Sequence, residues 1–522
     1  MQRCSRCWNR AASTSTDMRL AIIRQRYTPY GGAERFIEGA LEALLERNVA
    51  ITLYTREWPQ TKLQLMEPQI VDPFYLGSLW RDVSFARAVC REVGRSKANL
   101  VQSHERLLCC DIYRAGDGVH AAWLAERMRG RSALARLRVA MSPHHRYILH
   151  MERRLFASPW LSAVICNSRM VRDEIRDHFG VAESKLHVIY NAVDGEFFSP
   201  ALRSERIGLR ASHGIPDEAP VFLLVGSGYE RKNVATALRA LAELPPPAWL
   251  VVVGRDKRPA HYASLASALG IANRVTFAGA QADPRPYFGA ADVFLLPTLY
   301  DPFPNAALEA MACGLPVITS TKSGAAELVL DHDAGLVCPS RDIAGLAAHM
   351  RVLLDPALRE RMGHNARRAI APLTPAAMTL QLVLLYKQLM EASLAKQQAR
   401  KRQAAPPAAA FTARAEPPAA AAAEPPAPPA EGSAAETQPP AAPAPILDEA
   451  ATGIAPGHVD LPAQVPTPDR ESATATAETI PHRPGQRVVT GPSPDSASGA
   501  QAEAQPPMRS RAAPDGEDRG KG

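Results

Sequence analysis

Short apolar runs rich in β-branched residues, each followed by a glycine-bearing loop and a helix-periodic segment, constrain this fold more than any other feature. The first unit reads "MRLAIIRQRYTPYGGAERFIEGALEALLERNVAITLYTR". A strand at about 19–25 leads to Gly31-Gly32. Phe36, Ile37, Leu41, Leu44 and Leu45 then fall at helical spacing before a second strand. Strand, helix and strand in that order imply parallel pairing. The same grammar returns at "PVFLLVGSGYERKNVATALRALAEL", and "AWLVVVGRD", "RVTFAGAQ", "DVFLLPT" and "LPVITST" supply further short strands. Two α/β sheets, one in each half, explain this pattern better than one continuous sheet.

The division that follows is an unstructured overhang at 1–17, one Rossmann-like domain at 18–200 and a second at 201–375. A helix at 376–395 returns across the cleft to the first domain, and a tail occupies 396–522. The hinge is expected near 195–217. From about residue 403 the chain is mostly Ala, Pro, Glu, Ser and Gln, holds 23 of the 46 prolines and keeps Phe411 as its one aromatic residue. Too little apolar surface is available there to offset ordering entropy, so disorder is expected. That tail carries 15 acidic and 8 basic residues, which leaves residues 1–402 at a formal +14 out of a total of +7. A basic folded part favours anionic partners. The eight cysteines, several of them in apolar runs, suit buried thiols in a reducing cytosol better than a disulfide framework. Cys4 and Cys7 lack a second ligand pair for zinc, and no run of about 18 apolar residues is present to span a membrane.

In open parallel sheets, ligands bind in the loops at the carboxyl ends of the strands. Gly31 and Gly32 lie in such a loop, where glycine lets backbone amides approach an anion, although the loop is not the dinucleotide GxGxxG and also suits a plain tight turn. "VGSGYERKN" places Arg231 and Lys232 after another strand, at what reads as a helix start. Each charge-assisted hydrogen bond to a phosphate contributes about 1.5–3 kcal/mol. In "YDPFPNAALEAMACGLPVITSTKSGAAELV", Asn305 reads as the N-cap of a helix that ends before Gly314 and Pro316. Glu309 falls on the same face one turn inside, with Asp301 in the loop before. Phe303, Pro304, Asn305 and Ala306, at the helix start, are expected to bind substrate. Two carboxylates flanking a phosphate-binding helix end fit a sugar nucleotide, whose hydroxyls flank its diphosphate.

That segment resembles the E-x7-E signature of retaining family-4 glycosyltransferases of the GT-B fold, in the form D-x7-E. The likeness extends over about 18–390 through "PYGGAERF", "DIYRAGD", "RKN", "VVVGRD" and "VTFAG", and is nearest to the lipopolysaccharide core glucosyltransferase branch. It implies transfer of a hexose, of glucose or N-acetylglucosamine type, from a nucleoside diphosphate sugar to a lipid-anchored glycan, with retained configuration and no required metal or other cofactor. Carried over, Glu309 meets the ribose and Asp301 the donor sugar. Arg231 and Lys232 clamp the diphosphate, and Asp117 in "YRAGDGVH" helps activate the acceptor hydroxyl. The chain departs from the pattern with Asp at 301, one methylene short, and with Asn233 where Arg-Lys-Gly is commoner.

His104 and His120 are candidate proton handlers that equally suit structural roles, and Asp331-His332-Asp333 looks like a DxD but suits a solvated turn. Residues 124–160 hold eight arginines, three histidines and two acids, with Leu134, Leu137 and Met141 as an apolar stripe. This reads either as an ordinary basic surface or, given a lipid-anchored acceptor, as a patch that docks on the anionic inner face of the cytoplasmic membrane. Two other functions fit less well. A nucleotide-sugar 2-epimerase would want a fuller set of acid–base histidines, and a nucleic-acid binder would want aromatic-interleaved basic strands.

Overall fold

The computed structural model describes residues 18–26, 49–58 and 68–404. The Gly31-Gly32 loop, the helix expected after it, residues 1–17 and the Ala/Pro-rich segment past 404 lie outside those residues. The first sheet contains β1 (Arg19–Ile23), β2 (Ala50–Thr55), β3 (Gln69–Ile70), β4 (Leu100–Ser103), β5 (Ile112–Arg114), β6 (Ala163–Cys166) and β7 (Leu186–Val188). The second contains β8 (Val221–Val225), β9 (Trp249–Val253), β10 (Val275–Gly279), β11 (Val293–Leu296), β12 (Val317–Ser320) and β13 (Gly335–Cys338). All the pairings are parallel. The strand orders are 3-2-1-4-5-6-7 and 10-9-8-11-12-13, so each sheet reverses direction at its first strand. Crevices at such reversals are where open α/β sheets bind ligands.

Alternation along β1 shows how the layers are assembled. Ala21 and Ile23 face one core with Phe85, Val89 and Val93 of helix Gly77–Arg95. Leu20 and Ile22 face the other with Met378, Leu382, Val383 and Tyr386 of the long helix Pro375–Ala404. A period of two thus feeds helices onto both faces. Each fully buried Leu or Ile contributes about 1.5–3 kcal/mol. The last helix therefore covers the first sheet, and Tyr386 Oη donates to Gln102 Oε1 at 2.7 Å.

Two expectations need correction. The first concerns membrane spans: although no uninterrupted apolar run occurs, one helical stretch within Pro356–Ala395 is long and apolar enough to cross a membrane by length and composition only. Of its buried side chains, Met378, Leu382, Val383, Leu385 and Tyr386 pack on the first sheet, whereas Met362, Ala366, Ala369 and Ile370 pack in the core of the second domain. Second, Cys90 and Cys109 form a disulfide, with Cα atoms 5.6 Å apart. Helix Gly77–Arg95 carries one against the loop after β4, an approach that spacing 19 residues apart does not reveal. Cys110, Cys166, Cys313 and Cys338 are free and buried. Burial pushes the Cys166 and Cys313 thiols up to about 12 and that of Cys338 to about 11, which leaves them protonated.

Candidate active site

A cleft of about 760 Å³ lies where the carboxyl edges of the two sheets face each other. It brings together Asp117, Arg231, Lys232, Asp301 and Glu309, with Phe303, Pro304, Asn305 and Ala306 along one wall. The size suits a ligand such as a sugar nucleotide.

Glycine shapes the second-domain side of the cleft. Gly226, just past β8, has φ +150°, and a Cβ there would stand 2.5 Å from Lys232 Cε. The missing side chain lets Lys232 lie buried under the loop and reach Asp301, Nζ to Oδ2 at 2.7 Å. Arg231 Nη1 reaches the same oxygen at 2.8 Å. Burial alone would raise the Asp301 carboxyl, but Lys232 and Arg231 hold it below the usual carboxylate range. Lys232 is itself lowered by burial and by Arg231, with Asp301 opposing. Asp301, expected against the donor sugar, thus pairs directly with the two cations expected to clamp the diphosphate.

The cations also do not begin a helix, as the sequence suggested. They close a single turn, Tyr229–Lys232, and Asn233 then takes φ +62° before the next helix, Val234–Ala242. Asparagine tolerates this left-handed conformation, which explains why it stands where glycine is commoner. Its amide donates to Pro297 O at 3.0 Å and to Ser340 O, and Oδ1 accepts from Thr236 Oγ1 at 2.9 Å. Asn233→Ala is therefore expected to cost about 2–3 kcal/mol in denaturant unfolding. Asn233→Gly keeps the backbone and should cost less.

Helix Asn305–Ala312 carries Glu309, which is 3% exposed. Asn305 is not its cap, because Pro304 occupies that position. Asn305 Oδ1 instead accepts from Asn191 Nδ2 at 2.7 Å, and Asn191 Oδ1 accepts from the buried Arg114 at 2.6 Å. Phe303 lines the cleft, yet its ring stacks on Tyr190 with centroids 5.2 Å apart. The helix start is therefore held by side chains from just beyond β7.

On the first-domain side Asp117 is exposed in the loop after β5. Arg106 steadies that loop, donating to Gly118 O at 3.2 Å and to Glu152 Oε1 at 2.9 Å, while His120 N–H donates to the same Glu152 oxygen at 2.7 Å. His120 faces the cleft and hydrogen-bonds His145 at 3.1 Å between ring nitrogens. Burial, with Arg106 and the neighbouring histidines, drives it down to about 3, so it is neutral at ordinary pH. His104 is buried beside Gln102 and held low by burial and by Arg114 and Arg24; it does not line the cleft. Asp331 pairs with Arg169 and Asp333 with Arg361, so both carboxylates of the DxD-like run serve ion pairs.

Sequence reasoning missed Arg106, Arg114 and Asn191. Their only local signal is a position at or just after the end of a strand.

Two family profiles match the chain: Glycosyltransferase Family 4 over residues 30–197, and Glycosyl transferases group 1 over residues 205–369. The lipopolysaccharide core biosynthesis glycosyltransferase LpsE of Rhizobium meliloti is 28% identical over 348 residues, 65% of this chain and 91% of its own length. The lipopolysaccharide glucosyltransferase WaaG of Escherichia coli is 25% identical over 325 residues, 61% of this chain and 85% of its own. A crystal structure of WaaG superposes with a TM-score of 0.60 at 22% identity, covering 70% of this chain and 98% of that one, a likeness of fold.

Proposed function

We propose, from the premise that this chain is a nucleotide-sugar-dependent GT-B glycosyltransferase related to the Family 4 and group 1 glycosyltransferases, that it moves a hexose onto a lipopolysaccharide core or related envelope glycan with retention. The observation that carries this reading is the meeting of Arg231, Lys232, Asp301 and Glu309 with Asp117 in one cleft. Glu309 binds the ribose hydroxyls. The two cations and the first amides of helix Asn305–Ala312 stabilise charge on the departing diphosphate, a preorganised electrostatic contribution. Asp301 holds those cations in place beside the donor sugar. The acceptor hydroxyl enters past Asp117 and attacks the face that the diphosphate leaves.

Nucleoside diphosphate release from uridine, guanosine and thymidine diphosphate sugars, with and without heptose-containing core, tests the reading. Release stimulated by acceptor with one donor, and lost in Glu309→Ala, is the expected result. Release from no donor contradicts it.

The enzyme works at the inner face of the cytoplasmic membrane, docking through residues 124–160. Helix Ala133–Ala140 has no buried residue, and Leu134, Leu137 and Met141 are 59%, 54% and 65% exposed. Not every arginine in the segment is available, since Arg131 pairs with Glu230 of the second domain at 2.7 Å. Sedimentation with phosphatidylglycerol vesicles, but not with phosphatidylcholine vesicles, is expected. Replacing Leu134, Leu137 and Met141 with serine should lower that binding by roughly tenfold or more.

A further inference from the structure

One side chain from the second domain is buried in the core of the first. Tyr300 follows β11 and immediately precedes Asp301, yet among the described residues its ring packs in the cluster formed by Ala115, Val119, Ala122, Val171 and Ile175. It is 2% exposed. Its oxygen accepts from Val119 N–H at 2.8 Å and its hydroxyl donates to Glu174 Oε2 at 2.8 Å. The second Glu174 oxygen accepts from Lys322 of the second domain at 3.1 Å. Glycine is required at 118, where φ is +67° and a Cβ would stand 2.2 Å from the tyrosine oxygen.

The chain on either side turns this contact into a coupling. Asp117 lies two residues before Val119, in the loop that Tyr300 touches. Asp301 lies one residue after Tyr300, held by backbone bonds to Lys322 O and from Gly324 N at 2.9 Å each. The hydroxyl therefore ties the acceptor-side loop to the donor-side acid over a span of two residues on one side and one on the other. We propose that Tyr300 is a positioning residue: it sets Asp117 in register with the donor site when the domains meet, and so governs transfer to acceptor rather than donor binding. Burial, with Glu174 beside it, raises the tyrosine hydroxyl well above its ordinary value and keeps it protonated as a donor.

This inference rests on the glycosyl-transfer reading, and its test separates the two. Tyr300→Phe keeps the ring and removes both hydrogen bonds, leaving Val119 N–H and Glu174 without that partner. In the full chain, acceptor-dependent kcat is expected to fall about 10- to 100-fold. Affinity for uridine and guanosine diphosphate, by titration calorimetry, and acceptor-free hydrolysis of the donor should stay within about twofold. Hydrogen exchange should speed up at residues 116–122 in the variant with nucleoside diphosphate bound. Glu174→Gln, which disturbs the same contact from the other end, should give the same split of kcat from donor affinity.

Unchanged kcat in Tyr300→Phe, or equal losses of kcat and nucleotide affinity, would overturn the positioning role. Wild-type chain that transfers to no acceptor, while the variant still frees residues 116–122, would mean that the transfer reading fails and the tie itself stands. No change in exchange at 116–122 would remove the tie as well.

Discussion

Lys232→Ala is expected to lower kcat/KM for sugar transfer about 100- to 1,000-fold, the range seen when one preorganised electrostatic donor is removed from an active site. The side chain is 8% exposed and runs beneath Gly226, so its charge is fixed in place before substrate arrives. A preset cation costs no reorganisation as charge builds on the departing diphosphate, whereas Arg231, at 40% exposure, is more screened by water. Lys232→Met, which keeps the bulk and removes the charge, should lose nearly as much as the alanine variant. Steady-state kinetics on the three proteins measure this, and a loss below about threefold would mean that Arg231 alone carries the phosphate.

Asp301→Ala is expected to destabilise the second domain by about 3–5 kcal/mol, because removing one partner of a buried ion pair leaves the other charge uncompensated. Lys232 is that other charge, and Arg231 loses its bond to the same oxygen. Asp301→Asn keeps a hydrogen-bond acceptor and should cost less. The pH dependence gives a separate signature. With the folded carboxyl held below its ordinary value of 3.8, this contribution is fully present above that value and is lost as pH falls through the lower folded one. Denaturant unfolding of the wild-type chain should therefore show a stability loss below about pH 4 that is smaller in Asp301→Asn. Equal acid sensitivity in both proteins would place the effect on other carboxylates.

The sheets were legible in the sequence because parallel strands buried on both faces read as continuous apolar runs, and "VFLLV" and "DVFLLP" contain β8 and β11. The place of Arg231, Lys232, Asp301 and Glu309 on the cleft was legible for a related reason, since the segments that follow such strands line it. Their mutual geometry was not. Local capping rules assign Asn305 to its own helix, but Asn191, 114 residues earlier, claims its side chain. The left-handed turn at Asn233 moved the two cations from a helix start to a helix end. Nothing in the sequence singled out Tyr300, because its partners, Glu174 and Val119, stand 126 and 181 residues away. The Cys90–Cys109 bridge likewise depends on how a helix packs rather than on spacing.

The measurement that bears most directly on the central claim is the structure of the product. Heptose-containing core incubated with the full chain and the active sugar nucleotide would be analysed by mass spectrometry and by NMR of the new anomeric centre. The account predicts an acceptor heavier by one hexosyl residue, joined with the anomeric configuration of the donor. Donor consumed with the acceptor unchanged, or a linkage of inverted configuration, would contradict it.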